Sequence, residues 1–166
     1  MVPVLLILIP LLTGLASFFV KNEKTVKTWA LFASLLTLGV SLLGLTVLKE
    51  DKYLQHQCQW LLSIGSSFSV KLDGMGQVLC LLNAIAYPLV ILATWKSSYK
   101  KGNSFFALML LAQAGMMGVF LSMDALLFYF FWELALIPMY FLCSQWGGEK
   151  RIAVTFKFFI YTFIGS

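Results

Sequence analysis

The sequence predicts an all-α polytopic membrane protein, and three observations support this prediction. First, 60% of the 166 residues are hydrophobic and 11% are charged, whereas soluble domains are close to half apolar and a quarter charged. Second, apolar runs near the roughly 20 residues that a bilayer-crossing helix needs recur along the chain. Third, all of the lysines except Lys157 lie between these runs, so the net charge of +5 indicates membrane topology rather than binding to nucleic acid.

The apolar runs predict about five complete transmembrane helices and a truncated sixth, all within a single membrane domain. The predicted spans cover residues 2–20, 28–48, 77–95, 104–123, 125–146 and, in part, 152–166. Because the last run is shorter than a bilayer crossing requires, we expect the domain to be incomplete at its C-terminus. Asp124 directly precedes the fifth span and is a candidate N-cap for that helix.

The longest polar segment, residues 49–76, predicts a small external β-hairpin between spans two and three. Residues 68–73 alternate apolar and polar side chains, which is the period of a half-exposed strand. A glycine and two serines at 65–67 separate this stretch from a short apolar run at 60–64. We therefore expect the two runs to pair across a turn and to lie on the membrane surface.

The distribution of basic residues predicts the orientation of the chain. Lysine and arginine near the ends of spans remain on the cytoplasmic side. The basic residues of the first, third and fifth loops are Lys21, Lys24, Lys27, Lys96, Lys100, Lys101, Lys150 and Arg151. The second loop carries three lysines, but it is 28 residues long and also has three acids, and the fourth loop carries no basic residue. We therefore expect the N-terminus and the hairpin to lie outside.

The sequence offers no set of metal ligands and no nucleotide-binding loop. The only histidine is His56, and the three cysteines form neither a CxxC motif nor an even disulfide set. No GxGxxG or Walker-type stretch is present. We therefore expect no metal site and no cofactor site in this chain.

Glu133 is the acid that the fifth apolar run encloses. Counted from Leu126, it lies roughly 10 Å inside the run, too deep for so short a side chain to reach the interface. A carboxylate at that depth costs several kcal/mol unless it is paired, hydrated or protonated. Intramembrane acids commonly carry function. The alternative is an acid tolerated where two helices pack.

The surroundings of Glu133 favour a functional site. Polar side chains recur on its helical face at spacings of four, seven and four residues: Tyr129, Glu133, Tyr140 and Ser144. Trp132 flanks the acid, and Pro138 leaves the carbonyl of Leu134 without its helical donor. These neighbours indicate a hydrated or partner-facing surface around a candidate proton carrier.

Lys157 is the second ionisable group inside a predicted span. It lies about 9 Å along its helix from Arg151, so its long stem can reach the cytoplasmic interface. Snorkelling of this kind and a role as a proton relay both remain open. Its estimated depth differs from that of Glu133 by about 10 Å, which favours a water bridge over a direct pair.

A resemblance to a known family rests on two stretches, FFWELALIPMYFL and WGGEKRIAVTFKFFIYT. They closely resemble the chain M and subunit 4 family of NADH-quinone oxidoreductase, respiratory complex I, whose members are antiporter-like proton-translocating subunits. The resemblance is strong from residue 104 onward and weak in the first two spans. It implies a longer chain built on two inverted repeats, of which this sequence would be an amino-terminal fragment. It also implies that Glu133 carries protons and that Lys157 is a family lysine.

The resemblance implies a translocase that couples quinone reduction by NADH to proton pumping, without redox chemistry in this chain itself. NADH, flavin, iron–sulfur clusters and quinone would then belong to partner subunits. The partners implied are the other membrane subunits of complex I and the lipid bilayer, in the inner (plasma) membrane of a bacterium. The alternatives are a subunit of a multi-subunit cation/proton antiporter and a non-transporting membrane scaffold.

Overall fold

A computed structural model describes residues 1–46, 51–61 and 65–165. Its elements, in chain order, are α1 Val2–Ser17, α2 Glu23–Thr46, α3 Asp51–Leu54, β1 Gln55–Leu61, β2 Ser66–Lys71, α4 Gly74–Ala93, α5 Gly102–Leu121, α6 Ala125–Trp146 and α7 Arg151–Gly165. Helices dominate, and the two strands form one antiparallel hairpin between α2 and α4. The predicted fold class, an all-α polytopic membrane protein with a small β-hairpin, is therefore confirmed.

Four of the described helices, α2, α4, α5 and α6, are long and apolar enough to cross a membrane. α1 has 16 residues and α7 has 15, so both are shorter than the roughly 20 residues of a typical crossing. α6 has the bounds of the fifth predicted span. Residues 47 and 48 of the second span and residue 166 of the sixth lie outside the described residues.

α2 begins at Glu23 instead of residue 28, so two of the lysines assigned to the first loop lie inside this helix. The side-chain oxygen of Asn22 accepts a hydrogen bond from the backbone N–H of Lys24 at 3.1 Å, which is an N-cap contact. Glu23 stands in the first turn, where the helix dipole favours an acid. The cap lies among polar residues, so hydropathy alone does not reveal it.

Lys27 is buried and fastens α2 to the loop that follows α4. Its ammonium group donates to the carbonyls of Trp95 at 3.1 Å and Ser97 at 2.8 Å. It also pairs with Glu23 at 3.0 Å. A buried lysine needs such a complete set of acceptors, so Lys27 has a structural role besides its contribution to loop charge.

The hairpin differs from the predicted one in where its first strand begins. β1 starts at Gln55, ahead of the apolar run at 60–64, and pairs with β2 from Gln55 opposite Lys71 to Cys58 opposite Phe68. Residues 55–59 are mostly polar, so a prediction based on hydrophobicity does not identify them as a strand. The helical turn α3 was not predicted, and residues 49, 50 and 62–64 of the predicted loop lie outside the described residues.

α5 is the central helix of the fold. α1 and α6 pack along it, and α2 and α4 cover a further side. Two apolar clusters surround it, one near the hairpin and one at the opposite, distal end. The buried residues nearest the hairpin end include Val2, Leu6, Leu72, Cys80, Ala84, Met117, Leu127 and Phe131, and the distal ones are Val26, Ala30, Ala33, Ile91, Phe106 and Leu110.

Two glycines of α5 allow α6 to approach closely. A Cβ atom on Gly115 would stand 2.8 Å from the Cα of Ala135, and one on Gly118 would meet the ring of Phe131. Small residues at such positions let the backbones of membrane helices come into contact. The α5–α6 packing therefore depends on the absence of side chains at these two positions.

We predict that Gly115→Ala weakens the fold. The added methyl group meets the backbone of Ala135, which cannot move away without shifting α6, and such overpacking costs about 1–3 kcal/mol. The measurement is the midpoint of unfolding of the detergent-solubilised protein in a denaturant titration, with the variant compared to the unchanged protein.

Gly39→Ala is the matched control, because a Cβ at this position of α2 meets no atom within 4 Å. Alanine is the better helix former by about 0.5–1 kcal/mol, so this variant should be slightly more stable. A Gly115→Ala variant as stable as Gly39→Ala would contradict the proposed contact.

Candidate functional site

Asp124 fixes the beginning of α6, the helix that carries Glu133. Its Oδ1 atom accepts hydrogen bonds from the backbone N–H groups of Leu126 at 3.0 Å and Leu127 at 3.2 Å. The hydroxyl of Ser66 donates to the same oxygen at 2.9 Å. Asp124 is thus the predicted N-cap, and it also ties α6 to the hairpin.

Further contacts brace the turn before α6 against β2. The backbone N–H of Met123 donates to the carbonyl of Ser69 at 2.9 Å. Trp60 of β1 contacts Phe130 of α6 edge-to-face, with ring centroids 5.7 Å apart. Because Val70 of β2 is buried in the hairpin-end cluster, the hairpin is part of the core packing as well as a surface element.

The distal end of α6 is held by Trp146. Its indole N–H donates to the carbonyl of Lys100 at 3.1 Å, and its ring packs edge-to-face on Phe105 at 5.3 Å. α6 is therefore positioned at both ends by hydrogen bonds to other elements. This limits how far Glu133, between the two ends, can move with its helix.

Glu133 lies on the side of α6 that points away from α5. The buried residues of α6 form one stripe toward the core: Leu127, Phe131, Ala135 and Pro138. With about 100° of rotation per residue, Glu133 lies on the opposite side. The residue itself is half-buried. On its face, Tyr129 is exposed and Ile137 is 50% exposed.

Tyr140, a member of the predicted polar face, contacts α7. Its ring meets Phe159 edge-to-face with centroids 5.2 Å apart, whereas Tyr129, near the hairpin end, is exposed. Ser144 donates to the carbonyl of Phe141 at 3.3 Å within its own helix. The face that carries Glu133 thus passes from an exposed surface to a contact with α7 along the length of α6.

Trp132 and Pro138 lie on other sides of α6. Trp132 stacks on Phe128, with centroids 6.2 Å apart, and Pro138 belongs to the buried stripe. A groove of about 360 Å³ between α5, α6 and α7 is lined by Met116, Trp132, Ala135, Leu136, Met139, Phe158 and Thr162. Trp132 therefore shapes an apolar groove beside the acid's face.

Lys157 is exposed on α7. The contact of Tyr140 with Phe159 sets the level of α7 against α6, which runs antiparallel to it. Counted from that contact, Glu133 lies seven residues toward the hairpin end and Lys157 lies two residues toward the distal end. At about 1.5 Å per residue, the two backbones are roughly 13 Å apart along the helix axes.

Sequence reasoning identified the residues of α6 but missed the ones that position them. Ser66, Ser69 and Lys100 hold the helix ends through single hydrogen bonds. A serine at the start of a strand and backbone carbonyls in a strand or a loop carry no distinctive sequence signal. Within the described ranges, no three His, Cys, Asp or Glu side chains converge as a metal site would require.

Comparison with known proteins links this arrangement to one family. Residues 122–166 match the family model described as the transmembrane region of NADH:quinone oxidoreductase/Mrp antiporter proteins. The F(420)H(2) dehydrogenase subunit M of Methanosarcina mazei is 39% identical over 100% of this chain and 34% of its own length. The NADH-quinone oxidoreductase subunit M of Buchnera aphidicola is 35% identical over 98% of this chain and 36% of its own length.

Two solved structures share the fold. Respiratory complex I from Thermus thermophilus contains a chain that matches 99% of this one with a TM-score of 0.86 and 25% identity, over 33% of that chain. The archaeal membrane-bound sulfane sulfur reductase matches 99% of this chain, and 34% of its own, with a TM-score of 0.81 and 19% identity. The chain thus spans about a third of the length of these relatives.

We predict that the cap at Asp124 stabilises the fold in a pH-dependent way. The backbone N–H of Leu127 and the hydroxyl of Ser66 lower the pKa of Asp124. A lowered pKa in the folded state means that the stabilisation is complete above the unfolded value of about 3.9 and is lost as the pH falls through the folded value. Asp124→Asn should therefore be destabilised near neutral pH, and its deficit should shrink in acid.

The measurement is the difference in unfolding midpoint between Asp124→Asn and the unchanged protein, taken from neutral pH to below about pH 4. Glu149→Gln, in the exposed loop between α6 and α7, is the control for loss of one acid. A deficit of Asp124→Asn that widens on acidification would show that the carboxylate does not act as the cap.

Proposed function

Because the chain belongs to the NADH:quinone oxidoreductase/Mrp antiporter family of membrane subunits, we propose that it is an antiporter-like, proton-translocating subunit of an NADH-quinone oxidoreductase. The observation that carries the proposal is Glu133, a half-buried acid in the interior of α6 and within the matched region. A carboxyl group in such a position can exchange a proton when water or a basic partner reaches it. The chain would contribute proton transfer to a translocase.

Each site residue has a part in this proposal. Glu133 binds and releases the proton, on a face that continues through Tyr129 and Tyr140. Lys157 either relays protons to this face through water or snorkels to the distal interface, where its charge sets the local field. Trp132 and Pro138 shape the helix and groove beside the acid.

The redox groups belong to other subunits in this proposal. NADH, flavin, iron–sulfur clusters and quinone would bind partner subunits, and coupling would reach this chain through contacts with the other membrane subunits. The exposed apolar surfaces of α4, α6 and α7 suit such contacts and the lipid bilayer, since large apolar patches mark interaction surfaces. Examples are Leu82 at 64%, Ile137 at 50% and Phe163 at 51% exposure.

A second electron donor has specific support. The Methanosarcina relative, whose name specifies F(420)H(2) as the donor, matches the whole of this chain at 39% identity. In the proposal, electrons enter outside this chain, so the proton transfer by α6 is compatible with either electron donor. It is also compatible with the antiporter alternative, in which no electron donor is needed. Proton uptake measured in native membranes with NADH, with F(420)H(2) and with an imposed sodium gradient distinguishes the three.

We predict that Glu133→Gln abolishes proton pumping while the protein still assembles. Glutamine has nearly the same shape but cannot exchange a proton, and it removes the cost of a charged group in an apolar setting. Glu133→Asp should retain part of the activity because the acid remains. The measurement is donor-driven proton uptake in membrane vesicles, normalised to the amount of assembled complex on native gels.

Glu149→Gln is the matched control, because it makes the same substitution in the exposed loop that follows α6, and it should pump normally. Normal pumping by an assembled Glu133→Gln variant would remove Glu133 from the proton path. In that case the acid would only hold helices together, as the scaffold alternative states.

We further propose that the hairpin and the N-terminus lie outside and that the membrane is a bacterial plasma membrane. The ammonium group of Met1 donates to the carbonyl of Tyr53 at 2.9 Å, so the N-terminus and the hairpin share one end of the molecule. The basic residues of the first, third and fifth loops, among them Lys21, Lys96 and Arg151, lie at the opposite end, which the positive-inside rule assigns to the cytoplasm.

This orientation predicts which cysteines a membrane-impermeant maleimide labels in intact cells. Cys58 is exposed on β1 and should react without permeabilisation. A cysteine introduced by Gly148→Cys, in the open loop after α6, should react only after permeabilisation. Cys80 is buried and serves as the unreactive internal control, and the reverse pattern would invert the topology.

A further inference from the structure

Two amide side chains inside the bundle have no role in the proposed function. Gln113 of α5 is 0% exposed and Asn83 of α4 is 8% exposed. Neither amide makes a hydrogen bond to any part of the chain that the structure describes. A buried amide without partners costs about 1–3 kcal/mol by mutational measures. Native proteins seldom leave such groups unsatisfied, so we expect these two amides to have hydrogen-bond partners from outside the chain.

The two amides lie at the same depth. Asn83 precedes the end of α4 at Ala93 by ten residues, and Gln113 follows the start of α5 at Gly102 by eleven. At about 1.5 Å per residue, both are roughly 15–17 Å from the turn that joins these antiparallel helices. The side chains around them indicate the same level, since Leu110 and Ile91 both belong to the distal cluster and Met117 and Ala84 both belong to the hairpin-end cluster.

Buried hydroxyls of α2 lie at a similar depth. Lys27 meets the loop between α4 and α5 at the carbonyl of Trp95, and Thr37 follows Lys27 by ten residues, which is about 15 Å along the helix. Ser34, Thr37 and Ser41 are at most 1% exposed and lie on the stripe of α2 that faces the bundle. We call Ser34, Thr37, Ser41, Asn83 and Gln113 the polar layer. It lies between the two apolar clusters, so a polar section interrupts the core about midway along the helices.

Two hydroxyls of the polar layer already donate their protons within α2. Ser34 donates its hydroxyl proton to the carbonyl of Leu31, and Thr37 donates to the carbonyl of Ala33, both at 2.9 Å. The hydroxyls of Ser34 and Thr37 can then only accept hydrogen bonds, so neither can donate to an amide oxygen of the layer. A small ligand that both donates and accepts would satisfy both groups.

We propose that the polar layer is a water-binding site that holds a small cluster of ordered water between α2, α4 and α5. The layer contains amides and hydroxyls and no ionisable side chain, which matches a neutral ligand and not a cation or an anion. Buried waters typically make about three hydrogen bonds to otherwise unsatisfied polar groups. The bound water joins three helices that otherwise meet through apolar contacts.

Radiolytic footprinting in the native membrane tests this site. X-ray pulses convert bound water to hydroxyl radicals that oxidise adjacent side chains, and brief exposure to ¹⁸O-labelled water marks the oxygen that comes from water. Met117 is the reporter, because it is 0% exposed and lies one helical turn from Gln113. Phe106 is the control, because it is equally buried in the distal apolar cluster.

We expect Met117 to acquire ¹⁸O in the unchanged protein while Phe106 does not. In Asn83→Leu, in Gln113→Leu and in the double variant, the label at Met117 should fall to the level seen at Phe106. Absence of label at Met117 in the unchanged protein would overturn the proposal, even if no variant folds. Label that persists at Met117 in a folded double variant would also overturn it.

Discussion

The close approach of α5 and α6 at Gly115 and Gly118 is the contact on which the rest of the structure depends. α5 is surrounded by other helices and is therefore the fixed reference of the bundle. Because no side chain separates it from Ala135 and Phe131, the rotation of α6 about its own axis is set by this contact. That rotation decides which residues of α6 face the core, and it directs Glu133 away from it.

The ends of α6 are fixed by a different kind of interaction. Backbone groups at helix ends have no partner within the helix, and leaving them unsatisfied near a membrane is costly. Asp124 with Ser66 serves the hairpin end, and Trp146 with the carbonyl of Lys100 serves the distal end. The hydrogen bonds at its ends set the position of α6 along its axis and therefore the depth of Glu133. The packing against α5 sets the rotation of α6 and therefore the direction in which Glu133 points.

The fold was largely predictable because a helix that crosses a bilayer needs an apolar run of fixed length, so the ends of such a run predict the ends of the helix. The agreement at α6 illustrates this. The prediction failed where polar residues determine structure, at the cap on Asn22 and along β1. Within the candidate site, Glu133 could be identified from the sequence, because burying an acid in an apolar run costs free energy whichever way its side chain faces. The separation of Trp132 from the face of Glu133, and the burial of Lys27, depend on which neighbours pack against each helix. Composition does not encode those neighbours.

The polar layer and Glu133 represent two ways of keeping polar groups inside a membrane protein. Asn83 and Gln113 cannot change charge in the range of biological pH, so hydrogen bonding alone satisfies them, and bound water suffices. Glu133 can take either charge state, so its surroundings must accommodate both during turnover. A buried site between helices suits the first requirement because it retains its ligand. A helix face directed away from the core suits the second, because water or a basic group can approach and leave. The placement of these residues on opposite sides of α5 and α6 therefore separates a structural role from a proton-carrying one.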